Sequence, residues 1–162
     1  MEVCVPSALV VGQRVSYEGR VVDESRVQKI RDWPIPQDVS DVRGFLGTCG
    51  VVRMFIKGFA ALARPLTKLT RKEAVFNIGP DELASITALK DAVIGTPALR
   101  HIDYSSKRTV YLSVDSSQTA CGYILGQYGE DKKRYPARFG SIGWNKVESQ
   151  YLQPKIELYG VF

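Results

Sequence analysis

The stretch "YLSVDSSQTACGYILGQ", residues 111–127, decides the fold. Its first half has the composition of a buried strand and stops on a carboxylate, Asp115. Two small polar residues follow, and a second apolar run opens at Ala120. The connection "DSSQT" is short enough for antiparallel pairing, and "GEDKK" after it has the composition of a hairpin turn. Three strands are therefore predicted, at Arg108 to Val114, Ala120 to Gln127 and Arg134 to Ser141. An acid at the end of a core strand needs a reason. From the residues alone, Asp115 caps the turn through Ser117 or nearby amides, as Asp often does after a strand.

Outward from this stretch the pattern changes to helix. In "NIGPDELASITALKDAVIGTP", Pro80 suits a first helical position and Asp81 and Glu82 suit the positive end of the dipole. Leu83, Ile86, Leu89 and Val93 fall on or near one face, and Gly95 and Pro97 end the run. Further upstream, Pro65 opens a short helix carrying Leu66 and Leu69. Met54, Phe55, Phe59 and Leu62 continue a helical pattern, and Val42, Phe45, Leu46 and Cys49 form a stripe behind a cap at Ser40 or Asp41. Ser25 caps a helix carrying Val27 and Ile30, which Pro34 stops. Leu9 to Val22 is predicted to be a hairpin turning at Glu18-Gly19. At the other end a helix starts near Glu148 or Pro154, with Ile156, Tyr159 and Phe162 facing inward.

Composition sets the class. The chain has 162 residues, 44% hydrophobic and 24% charged, ordinary values for a globular protein of one domain or two small ones. No apolar run is long enough to span a bilayer, so no membrane partner is expected. Glu2 and the lack of a basic leader make the N-terminus a poor signal peptide. Cys4, Cys49 and Cys121 are odd in number and far apart. They are read as reduced thiols of an intracellular protein, and with His101 as the single histidine they exclude a zinc site.

The net charge is +5, but it is local. Arg43, Arg53, Lys57, Arg64, Lys68, Arg71 and Lys72 lie between Val42 and Lys72, a window with no Asp or Glu. The rest of the chain is slightly acidic. Such a helical surface fits a polyanion, most simply nucleic-acid phosphate, or else is a solvated face. Arg53, Lys57, Lys68 and Arg71 are the candidate phosphate contacts. The remaining conspicuous residues have ordinary readings. His101 is a loop residue, Glu130 and Asp131 are solvated in a turn, and Ser116 and Ser117 lack the His and Asp of a nucleophilic site. Trp33 is a packing anchor, and Tyr123 and Tyr128 are sheet residues.

Five blocks resemble one family in its order. "RVQKIRDWPIPQDVSDVRGFLGTCGVVRMFIKGFAALARPLTKLTRK" resembles the thumb of Ty3/gypsy-type long-terminal-repeat retrotransposon reverse transcriptases. It does so through Ile30-Arg31-Asp32-Trp33-Pro34, Arg43-Gly44-Phe45-Leu46-Gly47, Phe55-Ile56-Lys57 and Pro65-Leu66-Thr67. "VVGQRVSYEGRVVDES" is similar to the hairpin closing the palm, and "VFNIGPDELASITALKDAVIGTPAL" to the connecting helix. "LSVDSSQTACGYILGQ" and "RYPARFGSIGWNKVESQYLQPKIELYGVF" resemble the first three strands and the first helix of the tethered RNase H. Val51 and Val52 stand where relatives have an aromatic-rich pair, Ile78 where many have Trp, and Lys155 where many have Glu.

The resemblance implies an α+β fold. Residues 1–24 would be an end-of-palm β-hairpin, 25–74 a helical thumb and 75–98 a connecting helix. Residues 99–162 would form a partial RNase H-like three-stranded antiparallel sheet with a C-terminal helix. It implies that the parent copies RNA into DNA and hydrolyses RNA in RNA–DNA hybrids. For the latter, carboxylates would hold two Mg²⁺ (or Mn²⁺) ions about 4 Å apart. Asp115 matches the family's first catalytic and metal-holding acid and Glu157 the second. The later acids would fall after Phe162, and the polymerase's paired aspartates would precede Met1. The chain is then expected to be inactive alone and to bind metal weakly or not at all. Its expected partners are a hybrid or template–primer duplex and the parent's remaining palm, fingers and RNase H segments, in a cytoplasmic particle or the nucleus. The alternatives are a non-catalytic nucleic-acid-binding module and a retroelement-derived relic.

Overall fold

The computed structural model describes residues 5–161; Cys4 and Phe162 lie outside them. The chain opens with three short strands, β1 (Ser7–Val10), β2 (Gln13–Ser16) and β3 (Gly19–Val22), in an antiparallel meander. The expected single hairpin is therefore two. The unforeseen turn is Val11-Gly12, both with positive φ (49° and 74°), between the paired Val10 and Gln13. A β-branched residue is disfavoured there, so "LVVGQ" gave no turn signal. The second turn is Tyr17-Glu18, and Gly19 opens β3.

Helix α1 (Glu24–Arg31) is capped by Asp23, whose carboxylate accepts from Ser25 N, rather than by Ser25 itself. That hydrogen bonding, led by the Ser25 hydroxyl, holds the Asp23 carboxyl below the usual carboxylate range. Helix α2 (Val39–Val51) is capped by Asp38, which accepts from Asp41 N at 2.7 Å, so its cap lies upstream of both expected positions. The run from Met54 to Leu62 is not one helix. A 3₁₀ turn (Arg53–Phe55) and α3 (Phe59–Leu62) are separated by Gly58 at φ 68°, followed by α4 (Arg64–Leu69) with Pro65 in its first turn. Helix α5 (Pro80–Ile94) follows the expected signals, and Glu82 reaches back to accept from Gly79 N at 3.1 Å.

The helices share one core with Phe45, Phe55, Ile30, Leu66 and Leu89 at its centre, all essentially without solvent exposure. Each such side chain contributes about 1.5–3 kcal/mol of burial. Trp33 packs on it with its ring 6.0 Å from Phe45, as the anchor reading anticipated. Ile78 is partly buried against the same core, and Val52 is fully inside. Cys49 is buried there too, and desolvation pushes its thiol up to about 12, far from reactive.

The second sheet has the order β4 (Val110–Ser116), β5 (Ala120–Tyr128), β6 (Arg134–Gly143), all antiparallel. Asp115 lies inside β4, opposite Gly122, rather than at its end. Among the described residues β4 pairs only with β5, and Val110 and Leu112 are 43% and 61% exposed. Pleating puts Phe139 and Ser141 of β6 and Ile124 of β5 on the face turned to the helical core. Helix α6 (Gln153–Val161), after a 3₁₀ turn (Glu148–Gln150), covers the other face. A side chain at Gly160 would sit 2.3 Å from Ser116 Oγ and 3.3 Å from Cys121 Sγ and Val114, so the helix lies directly on β4. Ile156 is buried as expected, whereas Tyr159 is 47% exposed and packs against Trp144 and Tyr151.

The two sheets meet the chain's middle at Leu99, which exchanges backbone hydrogen bonds with Arg20 (2.7 and 2.9 Å). Gly19 adjoins this bridge at φ 146°, where a Cβ would fall 2.1 Å from Leu99 O. Gly19→Ala is therefore expected to destabilise the chain by more than about 1 kcal/mol, through both the clash and the φ value. A thermal melt of the variant that superimposes on the parent's would contradict this.

Candidate nucleic-acid interface and acidic pair

Of the four candidate cations, three line one cleft of about 610 Å³. Arg53, Lys68 and Arg71 come from the helical unit, and residues Thr119 and Ser141 to Lys146 form the facing wall. Arg64 and Lys146 complete the charge. Arg64 was visible in the basic window but carried no pattern that set it apart, and Lys146 is distant in sequence. Among the described residues no acidic side chain lines the cleft. Arg53 is also committed internally, since its Nη2 donates to Ser141 O at 3.0 Å and its guanidinium lies 5.8 Å from the Phe59 ring centre. Ala60 N donates to Ser141 Oγ at 2.8 Å, so one serine joins β6 to both the 3₁₀ turn and α3.

Lys57 stands apart from the other three. It lines a smaller cavity of about 190 Å³ together with Asp115, Gly122 and Ser141. The two cavities adjoin, because Ser141 borders both. Asp115 is exposed and, among the described residues, accepts no hydrogen bond, so its carboxylate is open to a ligand. The turn after β4 is held by Ser117 instead, which bonds to the backbone of Ala120. The turn-capping reading of Asp115 therefore has no contact to support it.

Glu157 is exposed on α6, the helix covering the opposite face of β4. Gln153 joins it to the strand: one amide nitrogen donates to Glu157 Oε1 at 2.8 Å and to Ser116 O at 3.2 Å. The two acids thus border the same end of β4 but approach it from its two faces. Among the described residues no group of three or more His, Cys, Asp or Glu side chains could hold a metal ion. The hard oxygen donors suit Mg²⁺ in kind but not in number, because two carboxylates neutralise half the charge of two divalent ions. His101 is a loop residue whose Nε2 lies 3.0 Å from Ser16 O, outside both cavities. Among the described residues no helix is long and apolar enough to cross a membrane.

A three-stranded antiparallel sheet with a helix on one face and a helical unit against the other is an α+β arrangement of the RNase H-like class. The profile of the family described as "RNase H-like domain found in reverse transcriptase" matches residues 78–162, and the chain belongs to that family. Over 141 residues it is 30% identical to the Transposon Tf2-3 and Tf2-4 polyproteins of Schizosaccharomyces pombe, covering 87% of this chain and 10% of each polyprotein. The chain thus spans about a tenth of the length of the curated relatives it matches. It is similar in fold to the foamy viral protease-reverse transcriptase in complex with RNA/DNA hybrid, with TM-score 0.80, 14% identity, and coverage of 96% of this chain and 21% of that one. The same viral protein in complex with dsDNA gives TM-score 0.80 at 15% identity, covering 97% and 32%. The chain is thus a retroelement reverse transcriptase/RNase H segment of the long-terminal-repeat kind.

The Gln153 bridge predicts a measurable effect. Gln153→Leu removes the link between Glu157 and Ser116 O, and amide exchange in α6 should accelerate about fivefold, the equivalent of one net hydrogen bond of about 1 kcal/mol. Unchanged exchange across residues 153–161 would show that the bridge does not hold the helix.

Proposed function

We propose that this chain grips the phosphate backbone of an RNA–DNA hybrid or template–primer duplex and presents Asp115 and Glu157 as the first two acids of a ribonuclease H centre. The observation that carries the reading is the adjacency of the two cavities. A backbone following Arg71, Lys68 and Arg53 passes Ser141 and reaches Lys57 and Asp115. Membership of the family and the basic window from Val42 to Lys72, which holds no Asp or Glu, support the same direction. Asp115 and Glu157 would hold Mg²⁺ or Mn²⁺ weakly, as a single ion. In a complete centre the metal would supply Lewis-acid activation of water and stabilise the leaving oxygen. The remaining acids would have to come from other polypeptide, so residues 1–162 should bind hybrid and leave it uncut. A second reading, binding without chemistry, is favoured by one observation: the two carboxylates approach β4 from opposite faces.

Binding should be indifferent to sequence and steeply salt-dependent. With three to four phosphate contacts, affinity should fall roughly 40- to 150-fold between about 50 and 200 mM salt. Reversing the charges of Arg53, Lys57, Lys68 and Arg71 together should abolish it. Hybrid affinity that survives the fourfold reversal in a folded chain would overturn the gripping role.

The chemistry is tested by a hybrid-cleavage assay with Mg²⁺ on three proteins. Residues 1–162 should not cleave, and a longer polypeptide carrying a further acidic strand should. Asp115→Asn in the longer polypeptide should abolish cleavage and leave hybrid binding nearly intact. Cleavage by the short chain that disappears on Asp115→Asn would show that two acids suffice. Cleavage by the long chain that survives the substitution would remove Asp115 from the centre.

A further inference from the structure

We infer that the larger cleft takes a single-stranded stretch of nucleic acid, with one base stacked on Trp144 and the flanking phosphates on Arg64, Lys68, Arg71 and Lys146. The inference rests on the nucleic-acid reading above but assigns a different ligand form and a different wall of the cleft.

Size decides between strand and duplex. A cleft of about 610 Å³ has the volume of a small-ligand pocket, enough for one or two nucleotides. A duplex can lie across its mouth but cannot enter it. A single strand can, because its bases are free to turn out of the stack. The charge is also arranged for a strand. Cations stand on both walls, Arg64, Lys68 and Arg71 on one and Lys146 on the other, so a backbone between them is neutralised from two sides.

The aromatic component is what a duplex contact does not need. Trp144 lines the cleft, half-buried, and it is held in place. Its Nε1 donates to Ser117 O at 2.7 Å, its backbone N donates to Thr119 O at 3.1 Å, and Tyr159 packs 5.8 Å from its ring centre. An indole held at two points on an anchored backbone is a preorganised stacking platform beside a phosphate-binding wall, the combination that single-strand sites use. Glu148, the acid nearest in sequence, is not among the residues that line the cleft, and its carboxylate accepts from Asn145 N at 2.8 Å. An acidic peptide would satisfy the cations but has no flat ring to place on Trp144.

The test uses the full chain and four probes: hexamers of dT and of rU, a blunt RNA–DNA hybrid of twelve base pairs, and a poly-Glu peptide. Tryptophan emission reads stacking in the parent chain, and fluorescence anisotropy of end-labelled probes reads affinity in the parent and its variants. Trp33 is packed against Phe45, so a stacked base should quench Trp144. Both hexamers should quench emission, and Trp144→Leu should weaken them about 10-fold more than it weakens the hybrid, within the range for one lost stacking contact. Trp144→Phe keeps a ring and should restore most of the affinity, which separates stacking from a folding defect. Quenching by dT alone or rU alone assigns the strand's sugar. Hexamer binding without quenching, equal losses in the Leu and Phe variants, or equal quenching by poly-Glu would overturn the inference. If the hybrid binds and neither hexamer does, the single-strand site fails and the gripping role stands. If no nucleic acid binds, both fail together.

Discussion

The rest of this structure depends on how strand β6 is laid against the helical core. Phe139 enters the core, and two residues on, Ser141 accepts hydrogen bonds from Arg53 and Ala60. Pleating then leaves no freedom. Once Phe139 and Ser141 face the helices, Ile124 and Gly122 of β5 and Ser113 and Asp115 of β4 face the same way, and Val114, Ser116 and Cys121 face α6. A one-residue slip would invert every one of these positions. One apolar side chain and one serine thus decide which face of the sheet carries the open carboxylate and where the cleft's second wall stands.

The electrostatic design is equally local. Gathering cations on one helical segment without acids costs some self-repulsion, which a ligand's phosphates would relieve. Arg53 shows how the cost is limited. Its guanidinium donates to a backbone carbonyl and lies over an aromatic ring, so its charge is partly satisfied within the protein. Lys68 and Arg71 are exposed and, among the described residues, make no such commitment. The cations of one sequence window are therefore divided between holding the units together and facing solvent.

The acids show a different economy. Asp115 sits on a rigid strand with an unencumbered carboxylate, whereas Glu157 is tied through Gln153 to the backbone beside it. Gly160 lets α6 lie on β4 closely enough for that tie, because any Cβ there would collide with Ser116 Oγ. Among the described residues Ser116 Oγ is buried without a hydrogen-bond partner.

The two candidate acids rested on the family resemblance, while sequence by itself determined most element types and the helical core. Local signals were sufficient there: Pro80 with Asp81 and Glu82 start α5, apolar spacing marks Phe45 and Cys49, and a short polar connection separates β4 from β5. It was insufficient where geometry contradicts propensity. Val11 takes a left-handed turn that Val disfavours, Asp23 and Asp38 cap helices from positions upstream of the expected ones, and Gly58 breaks a continuous helical pattern. Only the tertiary structure decided which cations act together. Lys57 lies four residues after Arg53 yet borders a different cavity, and Lys146 joins Arg64 from across the chain. It also placed Trp144 as a wall of the cleft and put the two acids on opposite faces of one strand. The physical reason is common to all of these. Periodicity within an element fixes which residues share its face, but what that face meets depends on contacts between segments some eighty residues apart, and no local pattern encodes those.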